Sequence, residues 1–281
     1  MAMIRRLRIT VLVDNAVAST GVLAEHGLSI LIEADDRRIL FDTGQGLVLR
    51  DNLSTLGTSL DPLDALVLSH GHYDHTGGIP AVLETVRPTA ICLHPAALEA
   101  KFARREKPPF RSIGIPDRSR AALDGAMERV VWTRAATEIV PGVWCTGEIP
   151  RSNPEEEGEQ PFFLDEEGCS QDPLIDDQAL FIQTARGLVL VAGCAHAGVV
   201  NTVDHVCRLS GRTEVLALLG GLHLGAASRK RLEKPGSALG RRNFKLIAPC
   251  HCTGLSAQSY FRARFNSLVR DVGAGSSFVF E

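Results

Sequence analysis

Residues 67–78 read Val67-Leu68-Ser69-His70-Gly71-His72-Tyr73-Asp74-His75-Thr76-Gly77-Gly78, so three of the chain's nine histidines and an aspartate fall within six positions. Burying that many polar groups together is costly unless one partner satisfies them all. A divalent cation is such a partner, and neutral imidazole with carboxylate suits zinc, iron or manganese. The apolar run Ala65 to Leu68 precedes the cluster and a helical pattern, Ile79 to Val86, follows it. The cluster is therefore expected on a loop at the C-terminal end of a strand, where α/β proteins build their sites. Gly71 permits a tight turn, and Gly77 and Gly78 let the next helix begin close by. A lone histidine here would more often cap the helix or lie on a solvated loop; a cluster argues for metal.

The rest of the chain has the same strand-then-helix order. Ile9 to Val13, Ser29 to Ile32 and Arg38 to Phe41 read as strands, Gly46 to Leu56 as a helix, and Ala90 to Leu93 as another strand. Pro95 to Arg105 reads as helical, while Lys107 to Arg120 and Arg151 to Pro173 read as loops, the second carrying Glu155, Glu156, Glu157 and Gly158. Strands are expected over Gln178 to Thr184, Leu188 to Val191 and Val215 to Leu219, and a helix from Gly198 to Leu209. The basic segment Arg229 to Arg242 leads into a strand, Phe244 to Ala248, before a last helix and strand. Alternation of this kind means a layered α/β protein, taken as one domain of residues 1–281 built from two similar halves.

Further ligand candidates lie downstream. In Ala192-Gly193-Cys194-Ala195-His196-Ala197-Gly198 a strand runs into a glycine-flanked turn that would aim His196 at the site. Pro249-Cys250-His251-Cys252-Thr253-Gly254 offers His251, while Cys250 and Cys252 alternate with it and are expected to point away. His223 is a rival ligand, a substrate contact or a satisfied structural histidine. His26, His94 and His205 stand apart from other ligands and are expected to be ordinary surface or core residues.

The pattern His-x-His-x-Asp-His after an apolar strand resembles the signature of the metallo-β-lactamase superfamily. The resemblance implies a four-layer αββα sandwich with one or two ions at its edge, zinc first, with manganese, iron or magnesium as alternatives. It implies that His70 and His72 hold a first ion and Asp74, His75 and His251 a second. Asp42, in Phe41-Asp42-Thr43-Gly44, would orient a ligand from outside. Cys194 stands where the family commonly has an aspartate. Either it bridges ions, His196 takes over, or it is an inert buried thiol. Glu148 falls where the family's third motif supplies a histidine, and is a ligand, a general acid/base or a salt-bridge partner of Arg151.

Val13-Asp14-Asn15, Gly27-Leu28-Ser29, Thr146-Gly147-Glu148-Ile149-Pro150-Arg151, Asp176-Asp177-Gln178, Gly221-Leu222-His223-Leu224 and the two downstream motifs resemble a narrower branch. It is named after the 7,8-dihydropterin-6-methyl-4-(β-D-ribofuranosyl)aminobenzene-5'-phosphate synthase of methanopterin biosynthesis.

Composition limits the partners. A net charge of −3 over 281 residues gives no basic field for nucleic acid or anionic membrane. The N-terminal apolar stretch is short and ends at Asp14, so it reads as a first strand, and no run is long enough to span a bilayer. Seven cysteines without framework spacing read as free thiols. A cytoplasmic enzyme with a small-molecule substrate is the resulting expectation. A hydrolase of an ester, lactone or phosphoester leads, with Asp74 accepting the proton of the attacking water. A transferase acting on a phosphate- or pyrophosphate-bearing, pterin-like substrate is next, for which Arg229, Lys230, Arg231, Lys234, Arg241 and Arg242 offer a basic face if that face is not simply solvated. A metal or ligand sensor without catalysis is third.

Overall fold

Side chains on a strand point alternately to its two faces, and along β1 (Leu7–Val13) this sorts the apolar residues into two cores. Leu7, Ile9 and Val11 enter one and Leu12 the other, where Val13 joins it because the register shifts between Val11 and Val13. The structure, a computed structural model, describes residues 2–153, 156 and 160–281.

In chain order, β1 is followed by β2 (Ser29–Ala34), β3 (Arg37–Phe41), α1 (Leu49–Thr55), β4 (Ala65–Val67), α2 (Tyr73–Thr76), α3 (Ile79–Thr85) and β5 (Ala90–Leu93). Next come β6 (Phe102–Ala103), β7 (Arg111–Ser112), α4 (Asp117–Asp124), β8 (Val130–Trp132), β9 (Thr137–Val140), β10 (Val143–Cys145) and β11 (Phe162–Phe163). The last part holds β12 (Ala179–Thr184), β13 (Gly187–Ala192), α5 (Val199–Ser210), β14 (Val215–Gly221), α6 (Arg229–Gly240), β15 (Leu246–Cys250), α7 (Gly254–Phe265) and β16 (Ser277–Phe280).

One sheet has the order β16-β1-β2-β3-β4-β5-β8, antiparallel through β3 and parallel beyond it. A second has the order β15-β14-β13-β12-β10-β9, parallel over β13, β14 and β15. Ile30, Ile39 and Phe41 of the first sheet meet Val189, Val191 and Ala217 of the second in a shared core. Outside the first sheet, Leu40 and Leu66 pack with Leu49 of α1, Ile79 of α3 and Leu123 of α4. Outside the second, Leu188 and Leu190 pack with Val203 of α5, Leu239 of α6 and Phe261 of α7. The layers are therefore α, β, β, α, as the resemblance implied. The halves are not sequential, because β16 returns from the C-terminus to pair with β1.

Two expectations fail. Pro95 to Arg105 is not a helix: a single 3₁₀ turn, Pro95–Leu98, gives way to β6. The chain is pulled straight there because Phe102 pairs with Phe163 and Ser112 in a small third sheet, and because Lys101 is buried against two aspartates. Lys107 to Arg120 likewise holds β7 and the start of α4. The long loop before Pro173 contains β11; Glu155, Glu157 and Gly158 within it lie outside the described residues. The basic segment is the helix α6. All seven cysteines are free thiols, and among the described residues no helix is long and apolar enough to cross a membrane.

Candidate metal centre

The clustered residues all follow C-terminal strand ends. His70 comes after β4, Cys194 and His196 after β13, His223 after β14 and His251 after β15, with Asp42 at the end of β3. Asp42, Ala195, His223 and His251 have φ of 61°, 52°, 46° and 52°. Side chains other than glycine seldom adopt this left-handed region, and holding them there costs of order 1–3 kcal/mol each. Gly71 is required for another reason: a Cβ there would run into the carbonyl of Ala97.

Two groups of donors converge. In the first, His70 Nε2 lies 3.0 Å from His72 Nδ1, and the His196 ring stands 4.8 and 5.0 Å, centroid to centroid, from those of His70 and His72. His72 Nε2 and His196 Nε2 are buried without a hydrogen-bond partner among the described residues. In the second, His75 Nε2 lies 3.1 Å from His251 Nε2, with Asp74 Oδ2 at 3.7 and 3.4 Å from the two nitrogens. Cys194 belongs to both: its Sγ is 3.2 Å from His75 Nε2, and it falls within 4.8 Å of the donors of His70 and His196 as well as those of His75 and His251.

Contacts from outside fix which nitrogens face inward. Asp42 Oδ2 accepts from His75 Nδ1 at 2.7 Å and from Ser69 Oγ, while Oδ1 accepts from the Ser69 amide. Ser69 Oγ also meets His70 Nδ1 at 2.8 Å. Asn15 Oδ1, which accepts from the Gly27 amide, accepts from His251 Nδ1 at 2.8 Å. With both Nδ1 protons committed, His75 and His251 turn Nε2 toward each other across 3.1 Å, lone pair to lone pair wherever neither Nε2 holds a proton. That contact is repulsive unless a proton or a cation sits between, and a cation held by imidazole, carboxylate and thiolate fits the donor set.

The electrostatics agree. Burial pushes His72 down to about 3 and drives His70 and His196 well below the usual range, so these imidazoles stay neutral, as ligands must. His75 is also penalised by burial, but Asp42 and Asp74 raise it to about 9. Burial opposes ionisation of Asp74, yet His75, His251 and His26 hold it well below its ordinary value.

Comparison with known proteins follows the geometry. The Lactamase_B model, described as metallo-beta-lactamase superfamily, matches residues 23–156. The 7,8-dihydropterin-6-methyl-4-(beta-D-ribofuranosyl)-aminobenzene-5'-phosphate synthase of Methanocaldococcus jannaschii is 30% identical over 278 residues, covering 95% of this chain and 94% of its own. The chain belongs to the metallo-β-lactamase superfamily. An uncharacterized protein of the same organism is 33% identical, with 94% of this chain and 98% of that one covered. The crystal structure of Tm1679, a metal-dependent hydrolase of the beta-lactamase superfamily, is similar at 28% identity, with a TM-score of 0.81 and 97% and 98% covered.

Within this superfamily frame the structure brings together His70, His72, Asp74, His75, Cys194, His196 and His251, with Asp42 behind His75. Glu148 is not among them: it is 50% exposed and its carboxylate meets His94 Nε2 at 3.2 Å. The expected partner Arg151 instead donates to the carbonyls of His196 and Pro173.

Cys252 does not point away. β15 ends at Cys250, and the left-handed His251 opens a 3₁₀ turn that breaks the alternation, so Cys252 Sγ accepts from the His223 amide at 3.3 Å and approaches Cys194. His26 does not stand apart: its Nε2 is 3.2 Å from Asp74 Oδ2. A cavity of about 540 Å³ opens beside His223 and Cys252, walled by Gln160, Leu224, Ser228 and Arg231. Of the six basic residues in and just after α6, Arg231 alone lines it.

Proposed function

We propose that the protein is a metal-dependent hydrolase of a small-molecule ester, lactone or phosphoester. The observation that carries this reading is the pair of Nε2 atoms of His75 and His251, turned toward each other by Asp42 and Asn15. His70, His72 and His196 would hold one ion, and Asp74, His75 and His251 a second, with Cys194 within reach of both groups. When bound, a divalent ion supplies Lewis acidity and acidifies a water toward neutral pH. With an ion held there, Asp74 Oδ2 would be placed to accept a water proton, and His26 Nε2, 3.2 Å away and half-exposed, would pass it to solvent. Asp42 keeps the Nδ1 proton of His75 in place, so that Nε2 remains the donor. The substrate lies in the cavity beside His223. Zinc is the ion that imidazole with thiolate favours.

A second reading, a transferase condensing a phosphate- or pyrophosphate-bearing, pterin-like substrate, is favoured by the full-length similarity to the synthase and by Arg231 on the cavity wall. The test has two steps. Elemental analysis of the purified protein should find ions, with His251→Ala and His196→Ala each losing one. Zinc-loaded protein is then assayed against phosphomonoesters, phosphodiesters, carboxylic esters and lactones. Turnover that disappears in Asp74→Asn supports the hydrolase. Silence there with turnover of a pterin pyrophosphate would transfer the assignment to the second reading.

A further inference from the structure

Cys252 and His223 belong to neither imidazole group, yet with Cys194 they make a third cluster whose donor atoms all lie within 4.8 Å of one another. We propose that Cys194, His223 and Cys252 form a third, thiophilic metal position, which adjoins the imidazole centre at Cys194, takes zinc and faces the substrate cavity. It rests on the metal centre proposed above, because Cys194 is shared.

The spacing suits the ion. Metal–sulfur bonds of about 2.3 Å and metal–nitrogen bonds of about 2.0 Å place tetrahedral donors roughly 3.5 Å apart. Donors already within 4.8 Å reach that spacing by small side-chain rotations. His223 Nδ1 is buried with no hydrogen-bond partner among the described residues, a costly state for an imidazole nitrogen unless it binds something. The backbone is bent to make the cluster. His223 and His251 are both left-handed, which turns the chain ends after β14 and β15 toward each other. Gly221 keeps the gap clear, since a Cβ there would come within 2.6 Å of Cys252 Sγ.

Two sulfurs and one imidazole are a soft donor set, which favours zinc over magnesium or manganese. Three protein ligands also leave one tetrahedral position open, the arrangement of catalytic rather than structural zinc. Here the open side has somewhere to look, because His223 and Cys252 form part of the wall of the 540 Å³ cavity. An ion at this position would accept an oxygen or sulfur atom of the substrate from the cavity side, while Arg231 faces the same space. The ligands are thiolate and neutral imidazole, so binding releases thiol protons to solvent.

The test uses full-length protein, kept reduced with a phosphine and loaded with Co²⁺. Ions per chain, the near-ultraviolet sulfur-to-cobalt charge-transfer band and cobalt X-ray absorption are compared for the wild type, Cys252→Ser and His223→Gln. The wild type should hold one ion more than either variant, and the mean sulfur coordination of its cobalt should exceed that of either variant. The variants should keep the visible bands of the imidazole centre. Equal ion counts and unchanged spectra in all three overturn the proposal and leave the imidazole centre standing. A wild type that takes no cobalt overturns both. If a variant fails to fold by circular dichroism, the ion count of the wild type decides alone: no more than two ions per chain overturns the third position.

Discussion

Asn15 makes the smallest contact with the largest consequence. Its Oδ1 takes the Nδ1 proton of His251 at 2.8 Å, leaving Nε2 as the only donor that ring can offer. Contacts of this kind usually contribute 10–100-fold to metal affinity. Asn15→Ala should therefore weaken one ion by about 10–100-fold, read by competition with a chelating dye, while the other ion and the circular dichroism stay as they are. An unchanged affinity would mean that the backbone at His251, whose amide is held by Asp14 Oδ1, fixes the ring unaided. The residues that converge were legible from sequence because they sit in short local signals: a cluster after β4, or a histidine just past an apolar strand. Asn15 lies 236 positions from its partner, and nothing local announces such a pairing. Cys252 departs from strand alternation for a different reason: β15 ends at Cys250, and the left-handed φ of His251 turns the chain.

At the scale of elements, the stretch from Pro95 to β7 shows how a tertiary contact overrides local pattern. Its apolar spacing suits a helix, but Lys101 is drawn inward, fully buried, to Asp172 Oδ2 at 2.9 Å and Asp176 Oδ1 at 3.0 Å. Burial would lower the Lys101 pKa, but the two carboxylates outweigh it and raise it. Asp176 then uses its other oxygen to hold the Gly71 amide between His70 and His72. The ion pair thus connects β6 to the turn that presents two imidazoles. Lys101→Met removes one cation and leaves two buried carboxylates uncompensated, a change that costs about 3–5 kcal/mol. Urea unfolding should show that loss, and Lys101→Met with Asp172→Asn should recover part of it. A single variant as stable as the wild type would mean that water reaches Asp172 and Asp176. Most other elements were legible to within a few residues, since β-branched strands and glycine-bounded helices carry their own signals. β8 had no such signal: Val131 and Trp132 are exposed, so no clean buried alternation marks it.

For the whole molecule, the two sheets meet along an edge where Asp42, just past β3 of the first sheet, pairs with His75 of α2, and Cys194 and His251 follow strands of the second. The sandwich itself was legible only through family resemblance, because strand and helix order alone fits several α/β architectures and does not foretell that β16 crosses back to β1. This seam predicts how stability depends on pH in chelator-treated protein. His75 is raised from 6.5 to about 9 despite burial, by Asp42 and Asp74. A group held above its unfolded pKa contributes stability that is complete below 6.5 and lost as pH rises through the folded value. Other buried groups titrate as well, so the informative quantity is the difference between wild type and Asp42→Asn. That gap should be largest below pH 6.5 and should narrow, by at most about 3 kcal/mol, as pH rises past about 9, leaving the part due to the Ser69 contacts of Asp42. With zinc bound, the ion replaces the proton as the positive charge on the ring, and the gap should persist at pH 9. Thermal unfolding of both proteins from pH 6 to 9.5, with chelator and with zinc, gives the four curves. If the metal-free gap were flat with pH, His75 would be neutral beside Asp42, and the attraction that draws a cation into this seam would have to come from Asp74 and the thiolates alone.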